Sequence, residues 1–152
     1  MGPFVPKNAD FEARVRDSFA RQGAMALIGA TLTRVAPGAV DIAVDFRPDL
    51  SQQHGFFHGG IVGMAADSAG GYAAFSLMPS DASVLTVEYK MNLVAPAQGA
   101  RLVAKGRVIK PGRTLTICQV DVFVERDGRE HHCAVLLQTL MTMTGRNDGP
   151  KE

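Results

Sequence analysis

Residues 58–78, HGGIVGMAADSAGGYAAFSLM, constrain this chain more than any other stretch. The run is longer than a typical strand and shows no alternation, so its mixture of small and large apolar residues reads as a buried helix. As a free helix it is badly made. Gly63, Gly70 and Gly71 each cost about 1 kcal/mol against alanine, so tertiary packing has to hold it together. Ala65, Ala66, Ala69, Ala73 and Ala74 leave room for another backbone to pass close, as in a sheet wrapped around a rod. One charge, Asp67, lies inside the run, and Gly59-Gly60 stands at its front, where unpaired backbone N–H groups collect at a helix N-terminus. Asp67 and the glycines argue against a membrane span.

The chain has 152 residues and a mass of 16.2 kDa, which suits one domain over 1–152 with a core over about 31–144 and a polar tail from 145 to 152. A formal net charge of +1 argues against a nucleic-acid partner and gives no reason to propose a membrane surface. Cys118 and Cys133 read as reduced, buried thiols. Residues 1–7 lack the basic-then-apolar pattern of a targeting peptide, so the expected compartment is the cytoplasm.

Before the central run, residues 10–20 predict a short amphipathic helix, with Phe11, Val15 and Phe19 on one stripe and Asp10 as N-cap. Residues 24–30 are ambiguous between helix and strand. Residues 31–35 predict a strand, Pro37-Gly38 a turn, and the alternation from Val40 to Phe46 a half-buried strand ended by Pro48. Residues 51–57 form a loop. After the run the period becomes two: Leu85, Val87, Tyr89, Met91 and Leu93 alternate with Thr86, Glu88, Lys90 and Asn92. Strands follow over 100–110 and 114–125. Asp127-Gly128 marks a type I′ hairpin, and the last strand, 129–144, is long enough to call for a bulge or bend. The expected class is α+β: five or six antiparallel strands around one long helix, plus a short N-terminal helix. Strands this apolar on both sides also predict self-association.

Helical geometry limits the chemistry. Gly60 and Asp67 share a face but stand about 10 Å apart along the axis, so one carbonyl cannot touch both. If both act on one substrate, the simplest arrangement sets a second copy of the helix antiparallel to the first. Gly59 of one subunit then faces Asp67 of the other, and the monomer is inactive. The N–H groups of Gly59 and Gly60 would hold a developing oxyanion, with no Cβ to obstruct the approach. Asp67, partly desolvated among alanines, would activate water or attack directly. His58 would fix the turn, and Thr86 would orient Asp67 or the water. The plainer alternatives are that the glycine pair serves packing and that Asp67 caps a neighbouring backbone group.

Other constellations are weaker. His54 and His58 have the spacing of a metal pair, but Gly55 interrupts any helix there and nothing completes the site. His131 and His132 point to opposite faces of a strand. No metal or cofactor is expected. Lys90, Lys105, Arg107, Lys110 and Arg113 read as solvated charges, with phosphate contacts of a nucleotide-bearing substrate as the alternative.

His58-Gly59-Gly60 with Asp67 in a small-residue helix, followed by LTVEYKMNLVAPAQG over 85–99, resembles the hotdog-fold acyl-CoA thioesterases of the phenylacetic-acid-degradation (PaaI-like) type. The likeness covers about 40–144. It implies a sheet wrapped round the central helix, a homodimer with a continuous sheet, assembly into a homotetramer as a dimer of dimers, and active sites at the dimer interface. By that resemblance Asp67 is the catalytic carboxylate, Gly59 the amide donor and His58 the orienting residue, while Thr86 takes the place of a Ser or Thr near the attacking water. Gln52 stands where many relatives carry Asn; it is a longer amide with the same donor and acceptor groups. The implied activity is hydrolysis of an acyl-CoA to a carboxylic acid and free CoA. The alternatives are a hotdog enoyl-CoA hydratase or dehydratase using His58 or His54, and a non-catalytic acyl-CoA-binding protein.

Overall fold

One of the glycines that weaken residues 58–78 as a free helix, Gly70, lies where the sheet comes closest to it. The computed structural model describes residues 4–146, 148 and 149. In chain order its elements are α1 (Phe11–Ala20), α2 (Gly23–Ile28), β1 (Ala30–Ala36), β2 (Ala39–Asp45), a 3₁₀ turn (Pro48–Leu50), α3 (Gly59–Phe75), β3 (Ala82–Leu93), β4 (Arg101–Lys110), β5 (Leu115–Arg126) and β6 (Arg129–Thr144). The strands form one antiparallel sheet in the order β1-β2-β4-β5-β6-β3, and α3 packs against its concave face. At Gly106 of β4, an added Cβ would lie 2.5 Å from the carbonyl of Ala69, so only glycine permits this approach. Val62, Ala65, Ala66, Ala69, Ala73 and Phe75 of α3 are buried against Ile42, Leu102, Val120, Leu136 and Leu140. Each fully buried large side chain of this set contributes about 1.5–3 kcal/mol.

The ambiguous residues 24–30 divide between α2 and the start of β1, with Gly29 at φ +68° ending the helix in the left-handed conformation. The central helix is shorter than its apolar run and ends at Phe75 rather than Met78. Ser76 accounts for the difference: its hydroxyl donates to Ala73 O at 2.7 Å and accepts the Gly38 N–H at 2.8 Å, tying the helix end to the Pro37-Gly38 turn. Asp10 precedes α1 as expected but makes no side-chain cap; Asn8 Oδ1 accepts the Asp10 N–H instead. Arg14 clamps α1 over the end of α3, lying 4.0 Å above the Phe75 ring and donating to Pro79 O at 2.8 Å.

Asp127 and Gly128 both have positive φ, as a type I′ hairpin requires. The expected irregularity in β6 is a bulge at Cys133, where Phe123 pairs with His132 and Val122 with Ala134. Both cysteines are free and buried, and burial pushes their thiols up to about 12 for Cys118 and about 11 for Cys133. Of the polar tail, residues 147 and 150–152 lie outside the described residues, while Asp148 ion-pairs with Arg21 at 3.0 Å. Among the described residues no helix is long and apolar enough to cross a membrane.

The two edges of the sheet differ. β1 exposes no large apolar side chain, whereas β3 runs for 12 residues and exposes Leu85, Val87, Tyr89 and Leu93 at 46–56%. The alternation in β3 therefore marks a strand correctly, but its apolar stripe is not covered by this chain. A shift in pairing between Thr86 and Glu88 places a bulge at Val87. Before it, Thr86 reaches α3; after it, Tyr89, Met91 and Leu93 approach Gly63 and Gly59 of the same helix. A strict two-residue period cannot put both sets on one face. The bulge does.

Candidate active site

His58 stands at the N-cap of α3 in extended conformation, and its Nδ1 accepts the Gly60 N–H at 2.9 Å. This fixes the turn, as the sequence suggests. It also engages the Gly60 N–H, so that of the two expected donors Gly59 is the one without this bond. Gly59 is the first residue of the helix, where the geometry leaves the N–H without an intrahelical acceptor. It opens on a cavity of about 450 Å³ whose walls include Phe56, Phe57, Leu93, Val94 and Pro96. Gln52 lines the same cavity, and its Oε1 accepts the N–H groups of His54 and Phe56. The amide of Gln52 thus shapes the loop ahead of the glycines.

Asp67 lies two turns along α3 and faces a different cavity, of about 340 Å³. Thr86 shares this second cavity and donates its hydroxyl proton to Asp67 Oδ1 at 2.8 Å. Of the two partners open to Thr86, the hydroxyl is on the carboxylate. Burial pushes the Asp67 carboxyl above its ordinary 3.8, against the opposing pull of hydrogen bonds from Thr86 and Gln138. Farther in, the Ser18 and Tyr72 hydroxyls lie 3.2 Å apart, and Tyr72 is pushed up to about 12 by burial.

Gln138 of β6 is the residue that sequence reasoning missed. It is fully buried, and its Nε2 donates to Asp67 Oδ1 at 2.6 Å and to Asp67 O at 3.1 Å. Its Oε1 is buried without a partner among the described residues, which costs about 1–3 kcal/mol. A signal was present: Ala134, Leu136, Gln138 and Leu140 form the inward stripe of β6, and Gln138 is the polar member of an otherwise apolar set.

The remaining polar residues lie elsewhere. Lys105 pairs with Glu130 at 2.7 Å, Arg107 pairs with Asp121, and His132 stacks on Phe123. His54 is exposed in the loop with its Nε2 near the Gln53 amide. No carboxylate lies within ion-pair distance of His54 or His58 among the described residues.

A single antiparallel sheet curled around one long helix is the hotdog architecture. The model of the thioesterase superfamily matches residues 54–131, and the chain belongs to that family. A crystal structure of a thioesterase family protein from Silicibacter pomeroyi is 48% identical, with a TM-score of 0.88 over 89% of this chain and 99% of that one. A Saccharolobus solfataricus protein named as a presumptive esterase is 30% identical over 74% of this chain and 72% of its own length. The Escherichia coli PaaI protein of the phenylacetic acid degradation operon shares the fold at 13% identity, with a TM-score of 0.82 over 93% and 99% of the two chains. The matched segment contains His58, Gly59, Asp67 and Thr86, and stops short of Gln138.

Proposed function

We propose that this protein is an acyl-CoA thioesterase, working in the cytoplasm as a homodimer whose two active sites each draw on both protomers. One observation carries this reading: the two half-sites lie at opposite ends of an unpaired apolar edge strand. The Asp67 cavity is walled by Val84, Leu85 and Thr86 near the start of β3, and the Gly59 cavity by Leu93 and Val94 at its end. A second copy pairing β3 to β3 in antiparallel fashion joins the start of each strand to the end of the other. It also covers Val87 and Tyr89, closes the exposed edge and continues the sheet across the dimer. Two such dimers would form a tetramer. Residues 1–152 form a single domain in each protomer.

In this arrangement the thioester carbonyl oxygen lies against the Gly59 N–H, whose partial positive charge stabilises the oxyanion as it forms. The partner's carboxylate, held at Oδ1 by Thr86, removes a proton from water, and the hydroxide adds to the carbonyl carbon. Collapse of the tetrahedral intermediate breaks the C–S bond. CoA leaves as a thiolate, which needs no strong acid. Direct attack by Asp67, forming an anhydride that water then cleaves, uses the same contacts. The hydratase alternative finds less support, because it needs a His–acid pair, whereas His58 Nδ1 is engaged by Gly60.

The test is thiol release across a panel of aromatic, short-chain and long-chain acyl-CoAs, beside a crotonyl-CoA hydration assay. Thioester cleavage that disappears in Asp67→Ala is the expected result. Hydration without cleavage, or tight binding without turnover, overturns the reading.

A further inference from the structure

We infer that Gln138 is a positioning residue for Asp67, seated on Gly70, which pins one carboxylate oxygen so that the other is left for chemistry. The inference rests on the reading of Asp67 as the catalytic carboxylate. The geometry is asymmetric. Thr86 Oγ1 and Gln138 Nε2 both donate to Asp67 Oδ1, at 2.8 and 2.6 Å, and neither donates to Oδ2. With Oδ1 carrying two donors, the basic electron pair that takes up a proton is on Oδ2. Gln138 also donates to the main-chain oxygen of the same residue at 3.1 Å. A carbonyl oxygen accepts in every protonation state, so this bond keeps the amide nitrogen turned toward Asp67 when the carboxylate is protonated.

Gly70 completes the device. A Cβ at this position would collide with Gln138 Oε1 and come within 3.0 Å of Val120 Cγ2. The Gln138 amide therefore occupies the space that Gly70 leaves open. A buried side chain whose oxygen is left unpaired while its nitrogen makes two bonds to one residue has no purely packing explanation. Leucine or methionine would fill the same volume without the orphaned atom.

The electrostatic surroundings are simple enough for the effect to be read. The other titratable groups on the Asp67 cavity are Tyr72 of α3 and Asp148 of the tail, and Asp148 is paired with Arg21 at the end of α1. The residues lining the cavity from α1, from the α1–α2 turn and from β3 are uncharged, and no lysine, arginine or histidine lines it among the described residues. Removing the Gln138 donor thus leaves Thr86 as the remaining group that favours the ionised carboxylate.

The experiment uses Gln138→Met, which keeps an unbranched side chain of similar length without the donor. Expected are a kcat lower by about 10–100-fold, a KM near that of the wild type, and an acid limb of the pH–rate profile moved to higher pH. Carbon-13 NMR titration of the Asp67 carboxyl reports the same upward movement without reliance on turnover. Gly70→Ala, which displaces the Gln138 amide, reproduces the shift, and the double variant adds nothing to it. This second route also keeps the question open to measurement if Gln138→Met does not fold. An unmoved Asp67 titration in a folded variant of either kind overturns the inference and reduces Gln138 to core filling. Should Asp67→Ala keep full turnover, the thioesterase reading fails instead, while the NMR titration still decides whether Gln138 holds the carboxylate.

Discussion

The two cavities flanking β3 are built in opposite ways. At the Gly59 end the proposed working group is a backbone N–H, set mainly by contacts between neighbours in sequence, His58 to Gly60 and Gln52 to His54 and Phe56, with the Phe57 N–H on Ala97 O tying the loop to the chain after β3. The walls there are largely aromatic and aliphatic. At the Asp67 end the proposed working group is a side chain, fixed by Thr86 at 19 residues' separation and by Gln138 at 71. The walls there carry hydroxyls from Ser18, Tyr72 and Thr86. A polarising station needs a rigid turn, which a short motif can encode. A charge held partly out of water needs donors, and these come from strands that only the completed fold brings near.

Asp67→Ala should have the largest effect. Loss of the proposed catalytic carboxylate should lower kcat by about 10²–10⁴-fold, with circular dichroism and oligomeric state unchanged. Gly59→Pro should come next. Proline is tolerated at the first position of a helix, and His58 already has the extended conformation that precedes proline, so the change deletes one N–H while α3 keeps its start, with the flexible end of Leu93 giving way to the ring. A loss of about 10²–10³-fold in kcat is expected. Wild-type rates in Gly59→Pro would remove the amide station from the comparison.

Mixing the two inactive variants asks whether the stations belong to different subunits. If they do, a mixed dimer holds one intact site and one doubly damaged site. Random exchange should then restore about a quarter of wild-type turnover. Failure to recover activity after verified exchange would put both stations in one protomer. Val87→Lys probes the strand that joins them. A lysine on the exposed bulge of β3 should weaken dimerisation by about 10–100-fold, read by sedimentation at falling concentration. Activity should fall with the dimer fraction.

The same contrast explains how much of the molecule was legible in the chain. The glycines and alanines of α3 signal the close approach of a sheet, and the side chain missing at Gly106 is what the helix backbone occupies. The alternation after Asp81 gives β3 to β6, and Asp127-Gly128 fixes the β5–β6 hairpin. The bulge at Val87 was not legible, because a two-residue period carries no mark of where it slips. Hence the sequence offers Thr86 to Asp67 from the polar face, and only the fold shows Tyr89, Met91 and Leu93 turned to the same helix. Gln138 was hidden for another reason. A polar residue on an apolar stripe announces itself only once the stripe's inward direction is known.

The smallest expected effect is on pH dependence, and it separates the two stations because only one of them titrates. Burial raises the Asp67 carboxyl above 3.8, so over the window between 3.8 and its value in the folded protein the native state holds the proton more tightly than the unfolded chain. The contribution to stability is therefore fully present below 3.8 and is lost as pH rises through the folded value. Turnover has the opposite sign, since in the proposed mechanism the ionised form takes the proton: it should climb across the window in which this contribution fades. Denaturant midpoints of wild type and Asp67→Asn, compared across that window, should diverge as pH rises, with the wild type falling relative to the variant. Gly59→Pro, whose lost group is a backbone amide, should track the wild-type slope. Parallel midpoints for Asp67→Asn and wild type would mean that the carboxylate lies at ease in its cavity, and the cost attributed to its burial would have to be withdrawn.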